Sequence, residues 1–73
     1  MNYGKAIKRL RNQQDMTARE LASRLHSSPA TISLIETGKK EPSLKMLTLI
    51  GKVLNRPLSD IILRAETIDK GEG

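Results

Sequence analysis

The sequence predicts an all-α domain of five helices, and three observations carry that reading. Strand signals are nearly absent: there is one Val, no Phe or Trp, and no stretch in which apolar and polar residues alternate. Apolar residues instead recur at three- and four-residue spacing in successive segments. Between those segments stand Ser and Thr caps, prolines and a glycine at the positions where helices start and stop. With 73 residues, 37% of them apolar, the chain makes one domain with one core.

Tyr3, Ile7, Leu10 and Gln14 form the stripe of the first helix, with Lys5, Lys8, Arg9 and Asn12 on its other faces and a break at Asp15 and Met16. Thr17 and Glu20 then spell a capping box: the threonine hydroxyl accepts from the N–H at Glu20 while the carboxylate reaches back to the N–H of Thr17. Met16 before the cap and Leu21 inside it make a hydrophobic staple, and Leu21, Ala22 and Leu25 give this second helix, about 17–25, its inner stripe. A third helix, about 28–37, follows a minimal break at His26 and Ser27. Ser28 caps it, Pro29 suits its first position, Ile32 and Ile35 point inward, and Gly38 ends it.

Ser43 caps a fourth helix with two apolar stripes, Leu44, Leu47, Ile50 and Leu54 on one side and Met46, Leu49 and Val53 on another. A helix apolar on two sides is expected at the centre of the fold. Asn55 terminates it before a short fifth helix bearing Pro57, Leu58, Ile61 and Ile62. Hydrophobicity fades from Arg64, so the domain is expected to close near 66. Residues 67–73 are expected to be a disordered tail, Lys70 to Gly73 above all.

Charge narrows the function. Lys and Arg number 13 against eight Asp and Glu, and the whole excess of +5 falls in residues 1–40, where four Lys and four Arg face Asp15, Glu20 and Glu36. A basic half on a domain of isoelectric point near 10.0 points to a polyanion. Without cysteine there is no thiolate metal site, disulfide or thiol nucleophile. One His, no paired carboxylates and no Gly-rich phosphate loop leave an enzyme without its parts; Gly38-Lys39-Lys40 lacks both the upstream Gly and the Ser or Thr of a P-loop. The longest apolar run is Ile61-Ile62-Leu63 and the first five residues open no signal peptide, so a cytoplasmic protein with no membrane association is expected.

Two short helices joined by a three- or four-residue turn have the dimensions of a helix-turn-helix. The stretch from Thr17 to Pro42, TARELASRLHSSPATISLIETGKKEP, resembles the XRE/Cro-like helix-turn-helix family of phage repressors and bacterial transcription regulators. Glu20-Leu21-Ala22, Thr31-Ile32-Ser33, Ile35-Glu36-x-Gly38 and Pro42-Ser43-Leu44 carry the likeness, which extends over about 60 residues when the flanking helices are included. It implies a five-helix lambda-repressor-like DNA-binding domain, its third helix in the major groove and its second across the phosphate backbone.

Carried over residue by residue, the resemblance places Pro29, Ala30, Ser33 and Leu34 toward the groove with Thr31 and Thr37 alongside. It puts Thr17, Ala18, Ser23, Lys39, Lys40 and Ser43 near phosphates. Thr17, Ser28 and Ser43 are accounted for by helix capping, and a helix N-terminus that also meets a phosphate would serve twice. The acidic residue at Glu36 is implied to pair with Arg11 as a structural ion pair. Dimer contacts fall by the same resemblance on Leu58, Asp60 and Ile62.

Two departures stand out. His26 occupies a turn position where the family has Gly, which a positive φ explains; without a second ligand or acidic neighbour it makes neither a metal site nor a pH sensor. On the third helix, Pro29, Ala30 and Leu34 replace the long polar side chains that read base edges, so modest direct readout is expected, supplemented by DNA shape and dimer spacing. The reading is a sequence-specific, double-stranded-DNA-binding regulator, a homodimeric repressor on a two-fold operator, with no cofactor. The alternative keeps the fold and makes helix three a protein-docking face, as in an antitoxin or regulatory partner subunit.

Overall fold

The computed structural model describes residues 2–72, so Met1, and Gly73 at the end of the expected tail, lie outside the described residues. Five α-helices follow one another: α1 Tyr3–Gln13, α2 Ala18–Arg24, α3 Pro29–Glu36, α4 Leu44–Val53 and α5 Leu58–Thr67, with a π-helical turn at Ile68–Glu72. Among the described residues there is no strand.

Each start has a local cause. Asn2 caps α1 by accepting from the N–H of Lys5. Thr17 accepts from the N–H of Glu20 at 3.0 Å while Glu20 accepts from the N–H of Thr17 at 3.1 Å, so both halves of the capping box are made. Ser28 accepts from Thr31 and Ser43 from Met46 in the same way, and Pro29 opens α3. The start of α5 has no side-chain cap; Asp60 in its first turn supplies the negative charge that suits a helix N-terminus.

The first four helices end alike. Asp15, His26, Gly38 and Asn55, each just past its helix, adopt φ of 54°, 55°, 82° and 57°. In every case the next N–H folds back onto a carbonyl of the last turn: Met16 to Arg11, Ser27 to Ala22, Lys39 to Leu34 and Arg56 to Gly51. These are Schellman closures, which satisfy otherwise orphaned carbonyls and reverse the chain within three residues.

The main core takes side chains from all five helices: Ile7 and Leu10, Leu21 and Ala22, Ile32 and Ile35, Leu47 and Ile50 with Leu54 after them, and Ile61. Fully burying a side chain of this size contributes about 1.5–3 kcal/mol. A smaller cluster of Ala6, Ala65 and Ile68, with Tyr3 beside it, seals α1 against α5.

Two sequence expectations are corrected by this packing. The central helix is α1, which packs against both α3 and α5 and buries Gly4, Ala6, Ile7, Leu10 and Arg11. By contrast, α4 leaves Leu44, its first residue, 66% exposed, and of its second stripe Leu49 is 38% exposed while only Met46 and Val53 reach the core edge. The fifth helix is as long as α4, and the boundary drawn at 66 falls inside it. Ala65 and Ile68, three apart on one face, are buried against Ala6, so helical packing continues where average hydrophobicity had already faded.

Gly4 makes the close seating of α1 on α3 possible. A Cβ there would lie 2.3 Å from the Ile35 carbonyl oxygen and 2.8 Å from that of Glu36, closer than van der Waals contact permits. Alanine normally improves a helix interior by about 1 kcal/mol over glycine. Here the clash with backbone decides the sign: Gly4→Ala is expected to destabilise by roughly 1–3 kcal/mol, checked by urea unfolding.

Candidate nucleic-acid interface

The site is built on α2 and α3, packed on each other across the turn His26–Ser28. With its caps, α2 occupies 17–25 and α3 occupies 28–37. Ile32 and Ile35 commit one side of α3 to the core. At 100° per residue, Pro29, Ala30, Ser33, Leu34 and Thr37 then share the opposite side, and all five are exposed. Thr31, half-buried, and Glu36, whose side chain is turned inward, flank that face.

Several of the hydroxyls are engaged within the fold. Ser28 and Thr31 share a side-chain hydrogen bond of 3.0 Å, and Thr37 donates to the Ser33 carbonyl at 2.8 Å. Ser23 is exposed on α2, whereas Ala18 is half-buried and packs partly on the core. Thr17 is exposed beside its capping bond. Lys39 and Lys40 are exposed just beyond α3, and both their backbone N–H groups are fixed to the Leu34 carbonyl, so the root of each side chain is held at the end of the helix. Ser43 is exposed at the start of α4.

Arg11 and Glu36 hold this unit to α1. The guanidinium Nε donates to one Glu36 carboxylate oxygen at 2.7 Å and a terminal nitrogen to the other at 2.8 Å, with both side chains about nine-tenths buried. The other terminal nitrogen donates to the Met16 carbonyl at 2.8 Å, in the turn between α1 and α2. The bond to Glu36 raises the Arg11 pKa further above its usual range, against the opposing effect of burial. Exposed Glu20 is held below the ordinary carboxylate range by its bond from the Thr17 N–H. Its contribution to α2 is therefore present above the ordinary Glu pKa and lost as pH falls through the lowered folded value.

The residues assigned to a dimer contact sit differently. Leu58 packs against the main core, Ile62 is half-buried, and Asp60 accepts from Arg64 at 3.0 Å with Arg56 3.6 Å away. The apolar side chain that α5 leaves outside is Leu63, 61% exposed, which the sequence reading passed over. It stood within an apolar run, and only the packing shows which member of the run is left out. Gln14, read as the end of the α1 stripe, donates to the Leu54 carbonyl at 2.6 Å and so ties α1 to the end of α4. Among the described residues, no group of His, Asp or Glu is arranged to hold a metal ion, and no helix is long and apolar enough to cross a membrane.

Glu36→Ala leaves Arg11 buried beside an unfilled site, a change expected to cost about 3–5 kcal/mol. Replacing both partners, Arg11→Met with Glu36→Leu, removes the buried charge and is expected to recover a substantial part of the loss. Thermal unfolding of the two variants checks the pair.

Residues 7–61 match a protein-family model described as helix-turn-helix. The competence pilus inhibition repressor of Acinetobacter baylyi is 36% identical over 69 residues, and the match covers 94% of this chain and 63% of that protein. A protein of Archaeoglobus fulgidus named as an uncharacterized HTH-type transcriptional regulator is 40% identical over 57 residues, covering 78% of this chain and 80% of its own length. Among solved structures, the clp gene regulator ClgR of Corynebacterium glutamicum superposes with a TM-score of 0.87 at 31% identity, over 89% of this chain and 69% of that one.

Proposed function

This chain belongs to the helix-turn-helix family, and from that membership we propose that it is a transcription regulator that binds double-stranded DNA, acting as a homodimeric repressor on a two-fold operator. The observation that carries the reading is the exposed face of α3, which has no structural duty in the core and ends in Lys39 and Lys40. In this reading α3 enters the major groove, with Pro29, Ala30, Ser33 and Leu34 toward the bases and Thr31 and Thr37 beside them. The N-terminus of α2 at Thr17 and Ala18, together with Ser23, Ser28, Ser43 and the two lysines, lies along the phosphates. N–H groups at a helix start and ammonium groups both favour an anion there.

The relatives named above are a repressor and a regulator, which supports regulation, and repression in particular. Catalysis has no place in the reading, which rests on relatives named as a repressor and as transcriptional regulators. A dimer fits because one domain of this size covers few base pairs, and α5 offers Leu63 beside Asp60 and Ile62 as the surface for it. Two copies related by a two-fold axis would then read half-sites one helical turn apart.

Selection from a random duplex pool at about physiological salt tests the proposal. The expected product is an inverted repeat with half-sites about 10 base pairs apart. Lys39→Ala with Lys40→Ala is expected to weaken binding to all duplexes alike and to flatten the slope of log K against log salt by about one to two. A chain that binds no duplex would leave α3 as a protein-docking face, the role its apolar Pro29, Ala30 and Leu34 would then serve.

A further inference from the structure

The outward face of α3 has a chemistry more restricted than a general DNA reader needs. None of Pro29, Ala30, Ser33, Leu34 and Thr37 carries an amide, guanidinium, ammonium or carboxylate, the groups that make paired hydrogen bonds to base edges. The one charged side chain of the helix, Glu36, is withdrawn into its pair with Arg11. The hydroxyl proton of Thr37 is spent on the Ser33 carbonyl, and Ser28 and Thr31 are bonded to each other. Ser33 remains, and a hydroxyl that turns to donate or accept distinguishes base pairs poorly.

What the face does present is hydrocarbon: the methyl of Ala30, the ring of Pro29 and the isobutyl group of Leu34, itself 42% exposed. In the major groove the apolar feature of an unmodified base pair is the C5-methyl of thymine. Resting on the reading of α3 as the groove-facing helix, we infer that this face selects sites by C5-methyl groups, so that its ligand is duplex DNA bearing thymine or 5-methylcytosine at the contacted positions. Charge selects this occupant over an apolar peptide, because the whole positive excess of the chain lies in the 40 residues that contain α3, and Lys39 and Lys40 stand at its end. A contact made to a methyl group alone treats T·A and 5-methyl-C·G alike and passes over unmethylated C·G. Cytosine methylation therefore creates contacts for this face.

The test begins with selection of duplexes from a random pool by the whole chain, followed by titration of the winner remade with deoxyuridine in place of thymidine. Burial of one methyl group corresponds to about a fourfold change in affinity, so uracil is expected to weaken binding about fourfold for each methyl contacted. At each sensitive T·A pair, 5-methyl-C·G is expected to be bound more tightly than C·G. Leu34→Ala, a change at an exposed position, is expected to shrink the thymine-to-uracil ratio while leaving the salt dependence as it was. Equal affinity for thymine and uracil duplexes overturns the inference and leaves DNA binding standing. So does a selected pool no richer in thymine than the input, or a ratio that Leu34→Ala does not move. Absence of salt-sensitive binding to any duplex overturns the DNA-binding reading beneath it as well.

Discussion

The Arg11 guanidinium is the point from which the arrangement of the first three helices is set. It projects from α1, grips both carboxylate oxygens of Glu36 at the end of α3, and reaches the Met16 carbonyl in the turn before α2. A charge this deeply placed is retained only where nearly every donor has a partner, and here the Nε and both terminal nitrogens do. The result is direction more than stability, since removing two charges from water costs most of what their attraction returns. Gly4, two turns away on the same face of α1, completes the joint by letting the backbone approach the last carbonyls of α3. Held at both points, α3 has little freedom to roll, and its outward face is fixed by what happens on its inner one.

The four Schellman closures do for the turns what Arg11 does for the helices. Each reverses the chain in three residues and uses up carbonyls that would otherwise need water. Gly38 adopts the left-handed conformation without a Cβ penalty; Asp15, His26 and Asn55 are drawn from the side chains that tolerate it best. The loops are short as a consequence, so a domain with a small core spends little of it on ordering long connections. Those same closures fix the backbone under Lys39 and Lys40.

What the sequence made legible was local. Capping needs only residues three apart, so Thr17 with Glu20, Ser28 and Ser43 could be read from order alone, and so could the stops at His26, Gly38 and Asn55. The inward pair Ile32 and Ile35 followed from helical periodicity, whereas the outward residues of α3 came from the resemblance to the helix-turn-helix family. The position of α4 was not legible, because two apolar stripes on a helix do not say whether two neighbours exist to cover them. Leu49, on the second stripe, is outside for want of one. The continuation past Thr67 was missed for the converse reason: Ala65 and Ile68 are an unremarkable pair in sequence, and become core only because Ala6 of α1 is small enough to let α5 close on it. Of the candidate site, the face of α3 was legible and the outer surface of α5 was not, since Ile61, Ile62 and Leu63 are equivalent until packing buries the first and leaves the last exposed.

The two sides of α3 are consequently under different constraints. Ile32 and Ile35 touch the core, and a change there disturbs packing shared by all five helices. Pro29, Ala30, Ser33 and Leu34 rest on no such contact, and substitutions at exposed positions of this kind generally move stability by no more than about 0.5 kcal/mol. A helix held rigidly by one face and unencumbered on the other can change what it reads without changing how it is held. That separation depends on Glu36 being turned inward: an unpaired carboxylate at the flank of α3 would repel phosphate, and Arg11 withdraws it from the surface while using it to orient the helix.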